Sequence, residues 1–209
     1  MEKQKFEDCN YIFILDAGHG KDTKGKCSPK GLSKTQLFEW DFNRKIVSKL
    51  VKMLEESSIK YHILVPEDID VPLVERVKRA NDLYDNGKVK CLYISIHGNA
   101  ADNSAANGFE VFTSPGQSLS DTIATIIYGK AETSKLYKKM RKDFSDMDVD
   151  KEADFYVIKK TKMPAILTEN GFYTNKEECQ LMLTKEFQEG VALYHYQTIV
   201  KVITNKLLG

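Results

Sequence analysis

Short apolar runs alternate along this chain with longer stretches whose apolar residues recur every three to four positions, a pattern that predicts strands interleaved with helices. Two of the runs end alike: Ile12-Phe13-Ile14-Leu15-Asp16-Ala17-Gly18-His19-Gly20 and Cys91-Leu92-Tyr93-Ile94-Ser95-Ile96-His97-Gly98-Asn99-Ala100. Each predicts a buried strand of a parallel sheet that stops at a histidine followed by glycine. A third run, Ala165 to Gly171, ends in the same manner at the carboxylate of Glu169. Open α/β sheets bind ligands just beyond the carboxyl ends of their strands. Two imidazoles and a carboxylate are therefore expected at one crevice.

The other elements follow from the same patterning. After the polar Gly20–Gly31 loop, Phe42, Ile46, Leu50 and Met53/Leu54 fall at helical spacing and predict a helix from about Ser33 to Ser57. Ile59–Val65 predicts a strand closed by Pro66. A helix follows from Pro72, suited to a first turn, to about Asn86-Gly87. Lys90–His97 is the second His strand, Asn99–Asn107 a polar loop, and Gly108–Thr113 an alternating strand. Ser118 is the expected N-cap of a long helix reaching about Arg141. A charged loop carries on to Asp154. Phe155–Lys159 and Ala165–Glu169 are predicted strands, and Asn175–Leu183 and Lys185–Ile203 predicted helices. The expected fold is three-layer α/β, an about six-stranded and mostly parallel sheet with helices on both faces.

Size and composition narrow the function. The 209 residues, 42% of them hydrophobic, suffice for one sizeable core and are short for two, so a single domain over residues 1–209 is expected. Thirty-one basic and 30 acidic residues give a net charge of +1, which argues against nucleic acid as a partner. The scattered Cys9, Cys27, Cys91 and Cys179 form no CxxC pair, so neither a thiolate zinc knuckle nor a thioredoxin-like motif is expected. Met1–Asp8 lacks the apolar stretch of a signal peptide, and no run approaches a membrane span.

The chemistry is expected at the strand ends. Two strand-end histidines at the ligand-binding edge point to metal ligation, since neutral imidazole is a common zinc ligand. The glycines beside His19 and His97 are expected to let the backbone turn sharply and approach a bound group. Glu39, near the start of the helix after the His19 loop, is the best candidate for a third ligand; Asp41 competes, and an acid near a helix N-terminus is favoured in any case. Glu169 is the candidate general base, with direct metal ligation as its rival role. Burial would raise its pKa and a nearby metal would oppose that rise. Together these residues point to metal-assisted hydrolysis of an amide. His62 and His195 are expected to serve packing or surface, and Lys135–Lys142 a solvated helix face. Walker loops, GxSxG elbows and GxGxxG fingerprints are absent from the sequence.

A set of ordered motifs resembles the zinc-dependent N-acetylmuramoyl-L-alanine amidases of the amidase-3 type. They are Leu15–Gly20, Glu39, Arg76 with Ala80-Asn81, Ser95–Ala100, Gly108–Val111 and Pro164–Phe172. The resemblance implies a Zn2+ ion bound by His19, Glu39 and His97, with Glu169 as the catalytic glutamate. It implies peptidoglycan as substrate, cut between N-acetylmuramic acid and the L-alanine of the stem peptide. The site of action would be the bacterial cell wall, reached from the cytoplasm on release if no export signal is present. Pro66 stands where members of the family often carry Arg, and the Gly20–Gly31 and Ser114–Asp154 segments resemble phage or prophage lysins. A zinc peptidase acting within the stem peptide, or a non-catalytic wall-binding module, are the competing expectations.

Overall fold

The computed structural model describes residues 4–145 and 147–209. Residues 1–3, at the head of the segment lacking signal-peptide character, and Asp146, in the charged loop, lie outside the described residues. Six strands form one sheet: β1 (Tyr11–Ala17), β2 (Tyr61–Ile63), β3 (Lys90–Asn99), β4 (Phe109–Thr113), β5 (Lys151–Glu152) and β6 (Ala165–Phe172). Their order is β2-β1-β3-β6-β4-β5. All neighbours run parallel except β4 and β6, which are antiparallel. The helices are α1 (Glu39–Glu56), α2 (Leu73–Tyr84), α3 (Leu119–Ser134), α4 (Tyr156–Lys160), α5 (Lys176–Met182) and α6 (Lys185–Thr204).

Alternation along the central strands divides the core in two. Phe13, Leu15, Leu92, Ile94, Ile96 and Ile166 face the side covered by α1, α3 and α6, where Ile46, Leu50, Ile123, Ile127, Val191 and Ile199 complete a continuous cluster. Ile14, Cys91, Tyr93, Ala165 and Leu167 face Val77 and Ala80 of α2 and Val157 and Ile158 of α4. Both faces are covered, as a mostly parallel sheet requires, and the three-layer α/β architecture is as expected.

Four local expectations are corrected. Helix α1 begins at Glu39 rather than Ser33, because buried Leu37 is held extended: its N–H bonds Ser28 Oγ and its carbonyl accepts from the Ser28 N–H. Helix α3 ends at Ser134, with Lys135 in a left-handed cap at φ 56°, so Lys135–Lys142 is not a helix face. Tyr137 turns into the core there, and the backbone of Lys139 and Arg141 pairs with Phe109. Phe155–Lys159, expected as a strand, forms helix α4 with the adjacent Val157 and Ile158 buried; a short apolar run does not fix its own period. The sheet position beside β4 goes instead to Lys151–Glu152, inside the expected charged loop. Ser118 caps α3 as expected, in a full capping box with Asp121.

Beneath the carboxyl edge lies one buried ion pair. Asp16, 1% exposed, receives Arg76 Nη1 on Oδ1 at 2.5 Å and the hydroxyls of Tyr93 and Ser95 on Oδ2 at 2.7 and 2.8 Å. Arg76, 2% exposed, also donates to the carbonyls of Ala17 and Val71 and to Asp70. Every polar atom in the pair is thereby answered, and α2 is tied to the end of β1. Asp16→Ala strands the guanidinium without its counter-charge and is expected to cost about 3–5 kcal/mol. Urea denaturation checks this; a midpoint within error of wild type would refute the pair's structural role.

Candidate active site

The register of the central strands decides what gathers at the edge. Ala17 sits opposite Ile96, and His97 opposite Glu169. His19 follows the end of β1, so it and His97 emerge as neighbours, their rings edge-on with centroids 5.0 Å apart. Glu39, the first residue of α1, comes up beneath both. Its Oε1 lies 3.0 Å from His97 Nδ1 and 3.3 Å from His19 Nε2, and accepts the Gly98 N–H at 3.3 Å. Asp41, the competing acid, is half-buried and turned away from the histidines to pair with Lys45 at 2.6 Å. The structure thus brings His19, Glu39 and His97 together and leaves Asp41 out.

The turn at His19 is made differently from the expectation. Neither Gly20 nor Gly98 adopts a positive φ; His19 itself does, at 63°. A left-handed backbone costs an L-residue about 1–2 kcal/mol. Two side chains of α1, a turn beyond Glu39, hold it there. Asn43 Nδ2 donates to the Gly18 carbonyl at 3.0 Å, and Arg44 Nη1 to the His19 carbonyl at 2.8 Å. Arg44 also bonds the Glu67 carbonyl through Nε and Nη2, fastening the loop after β2 to the same turn. The role of the glycines is close approach: a Cβ on Gly18 would stand 2.1–2.5 Å from three atoms of the His97 ring.

Electrostatics separate the two glutamates. Glu39 is 1% exposed, and burial alone would raise its pKa, yet hydrogen bonds and charge from His19 and His97 hold it well below the usual carboxylate range. Glu39 in turn raises His97 against the effect of burial. Glu169 goes the other way. Burial pushes its carboxyl up to about 8, with Glu39 and Glu110 adding to the rise and His97 opposing it. Glu110, opposite Glu169 across β4, is itself neutralised by Arg141 and by Lys151 at 2.6 Å.

Three features have weak or no sequence signals. Tyr173, just past β6, is buried, and burial together with the Glu39 carboxylate raises its pKa, keeping the phenol protonated. Asn170 donates to the His97 carbonyl at 2.8 Å and accepts from the Tyr194 hydroxyl, fixing the end of β3 to the core. His195 is fully buried: Nδ1 donates to the Val191 carbonyl at 2.8 Å, leaving Nε2 to accept from the Thr168 hydroxyl at 3.0 Å. Burial lowers it to about 4, so it stays neutral, a packing residue as expected. His62 is exposed on β2 and takes no part in the cluster.

Two observations test whether these residues suit a metal. The ligand atoms of His19, Glu39 and His97 lie within 4.8 Å of one another. Glu39 Oε2 and Glu169 Oε2 are sealed from water and have no hydrogen-bond partner. Buried polar atoms are normally paired, so an orphaned Glu39 oxygen beside two imidazoles fits a cation-binding donor set, with Glu169 as a second unanswered carboxyl nearby. A crevice of about 320 Å³ opens onto His19 and His97, walled by Thr23, Asp70, Leu73 and Val157. A larger hollow of about 480 Å³ lies by Phe6–Tyr11 and the C-terminal residues, at the amino edge of the sheet, and contains neither histidine.

The sequence pattern of the N-acetylmuramoyl-L-alanine amidase (amidase-3) family matches residues 13–201. The chain belongs to this family. Among relatives, it is 32% identical to the endolysin of Bacillus phage SPP1 over 194 residues, covering 92% of this chain and 66% of that protein. It is 29% identical over 182 residues to the N-acetylmuramoyl-L-alanine amidase LytC of Bacillus subtilis, covering 87% of this chain and 33% of that one. This chain therefore spans about two thirds of the phage endolysin's length and one third of LytC's. The crystal structure of the N-acetylmuramoyl-L-alanine amidase from Clostridium difficile 630 superposes with a TM-score of 0.77 at 27% identity, covering 94% of this chain and 97% of that one.

The space at Gly18, where an added Cβ would meet the His97 ring, gives a direct check of how the histidine cluster is held together. Gly18→Ala must displace the imidazole, and an overpacked site of this kind costs about 1–3 kcal/mol. Chemical denaturation should show that loss, and the His97 ring resonances should shift in NMR spectra. Wild-type stability with unshifted resonances would show that Gly18 does not set the ring's position.

Proposed function

We propose that this chain is a zinc-dependent N-acetylmuramoyl-L-alanine amidase that hydrolyses the amide between the lactyl group of N-acetylmuramic acid and the L-alanine of the peptidoglycan stem peptide. His19, Glu39 and His97 would hold the zinc, and Glu169 would act as general acid and base. The observation that carries this reading is the convergence of two imidazoles on one buried carboxylate, with a second carboxylate of opposite pKa tendency alongside, in a member of this family.

A bound zinc ion would polarise the scissile carbonyl and acidify an adjacent water. The remaining chemistry belongs to the chain. The ionised Glu39 carboxylate, with two imidazoles against it, orients both rings and contributes the negative charge that favours a cation. In its ionised form, which the charge of a bound cation would favour against the effect of burial, Glu169 takes a proton from the water that attacks the carbonyl carbon. A carboxyl whose pKa is raised toward neutrality can then return that proton to the departing alanine nitrogen as the C–N bond breaks. The products are a lactyl carboxylate on the glycan and a free amino group on the peptide. Leu73, half-exposed at the crevice wall, and the neighbouring Asp70 offer the substrate an apolar and an acidic surface. The enzyme would act on the bacterial cell wall; no helix among the described residues is long and apolar enough to cross a membrane.

Digestion of purified peptidoglycan with the zinc-loaded protein, followed by mass spectrometry, tests both substrate and roles. Stem peptides with free alanine amino termini are expected. Glu169→Gln should lower the rate by about 10²-fold or more while keeping its zinc. His97→Ala should lose zinc by elemental analysis. Cleaved cross-links with intact muramoyl-alanine bonds would make the protein a peptidase, and binding to peptidoglycan without products would make it a wall-binding module. Full activity in zinc-loaded Glu169→Gln would remove the assigned role of Glu169.

A further inference from the structure

Away from the histidines, a second group of oxygen donors is gathered where α3 begins and β5 joins the sheet. Asp121 lies in the first turn of α3, and Asp148 and Asp150 precede β5. Their carboxylate oxygens come within 4.8 Å of one another. Asp121 is 4% exposed and Asp150 1%. Each residue has one oxygen committed outward. Asp121 Oδ2 accepts the Ser118 N–H, Asp150 Oδ2 accepts the Thr113 hydroxyl at 2.6 Å, and Asp148 Oδ2 accepts from Gln117 Nε2 at 3.2 Å. The other oxygen of each, Oδ1, is sealed from solvent and has no hydrogen-bond partner. No Lys, Arg or His among the described residues forms an ion pair with any of the three.

Three carboxylates this close repel one another, and burying them without a counter-charge is costly. Either protons or a cation must compensate. A cluster of protonated acids would use its O–H groups as donors to one another. A proton shared between Asp148 and Asp150 would answer two of the three residues, whereas a hard cation would answer all three buried Oδ1 atoms at once. We infer that Asp121, Asp148 and Asp150 form a calcium-binding site, separate from the histidine cluster, that staples the start of α3 to the edge strand β5. All-oxygen carboxylate donors are the ligand set calcium takes, at Ca–O distances of about 2.3–2.6 Å, so one ion can touch oxygens spread over the observed span.

The position gives the site a structural purpose. β5 is only two residues long and forms the sheet's edge, pairing with β4 through Phe112↔Lys151 and Thr113↔Glu152. Lys151, next to Asp150, reaches Glu110 at 2.6 Å, and Glu110 lies opposite Glu169. A cation on the three aspartates would hold this edge in place.

Isothermal titration of calcium chloride into the zinc-loaded 209-residue protein tests the inference, with the histidine site already filled. One calcium per chain is expected, with a dissociation constant on the order of 10⁻⁴–10⁻³ M or tighter, together with a melting temperature that rises with calcium concentration. Asp148→Asn and Asp150→Asn should each weaken binding by about tenfold or more, because calcium affinity follows the carboxylate count. Should Asp150→Asn fail to fold, half-buried Asp148 supplies the decisive variant. No binding heat with the wild type, or unchanged affinity in Asp148→Asn, would overturn the site. A melting temperature that responds to pH but not to calcium would assign the compensation to protons and overturn it equally.

Discussion

A carboxylate with almost no access to water sits between two imidazoles, and the rest of this edge is built around that contact. Glu39 gives up its hydration on entering the core. What offsets the loss is the pair His19 and His97, with the Gly98 N–H alongside. The contact joins three elements: the turn after β1, the end of β3 and the first residue of α1. An acidic residue at the start of a helix is favoured by the macrodipole, so the position suits the charge even before the histidines arrive. The left-handed backbone of His19 is tolerated for the same reason, since Asn43 and Arg44 on the next turn of α1 fasten the carbonyls on either side.

The second carboxylate shows what the surroundings do to an identical side chain. Glu39 is driven toward its charged form by direct imidazole contacts, whereas Glu169 is driven toward its neutral form by burial without a comparable partner. Titratable neighbours whose environments push them apart are the arrangement from which acid and base roles are drawn. Parallel pairing supplies the placement: His97 and Glu169 occupy matching positions on adjacent strands, and Glu110 completes the row from the antiparallel side, neutralised by Arg141 and Lys151. A shift of one residue in either register would send Glu169 to the opposite face of the sheet.

Much of this was legible in the sequence because strands that end in His-Gly and Glu-Asn-Gly announce both an element and its functional end. The layers, the convergence of His19 with His97 and the cap at Ser118 followed from periodicity and spacing. Glu39 could not be separated from Asp41 by spacing, because both fall in the first turn of one helix; only the direction of the helix axis sends one inward and the other to Lys45. The start of α1 was hidden since residues 33–38 look helical, yet 33–35 bend and Leu37 is tied to Ser28 by two hydrogen bonds. Val157 and Ile158 gave a run too short to choose between two periods, and the strand that took their place is two residues of charge, Lys151-Glu152. Long-range neighbours such as Tyr173, raised by the Glu39 charge, or Arg44, which bonds the His19 turn, leave no local trace.

His19, Glu39 and His97 are proposed to form one metal centre, with the Glu169 carboxyl beside it but not bonded to the ion. Anomalous diffraction recorded on either side of the zinc absorption edge, from crystals of the zinc-loaded protein, addresses it without reference to activity. A single peak bonded at about 2.0–2.2 Å to both imidazoles and to Glu39, with Glu169 outside bonding distance, is the predicted result. A peak that excludes Glu39 or includes Glu169 as a ligand, or no peak between the two histidines, would contradict the account.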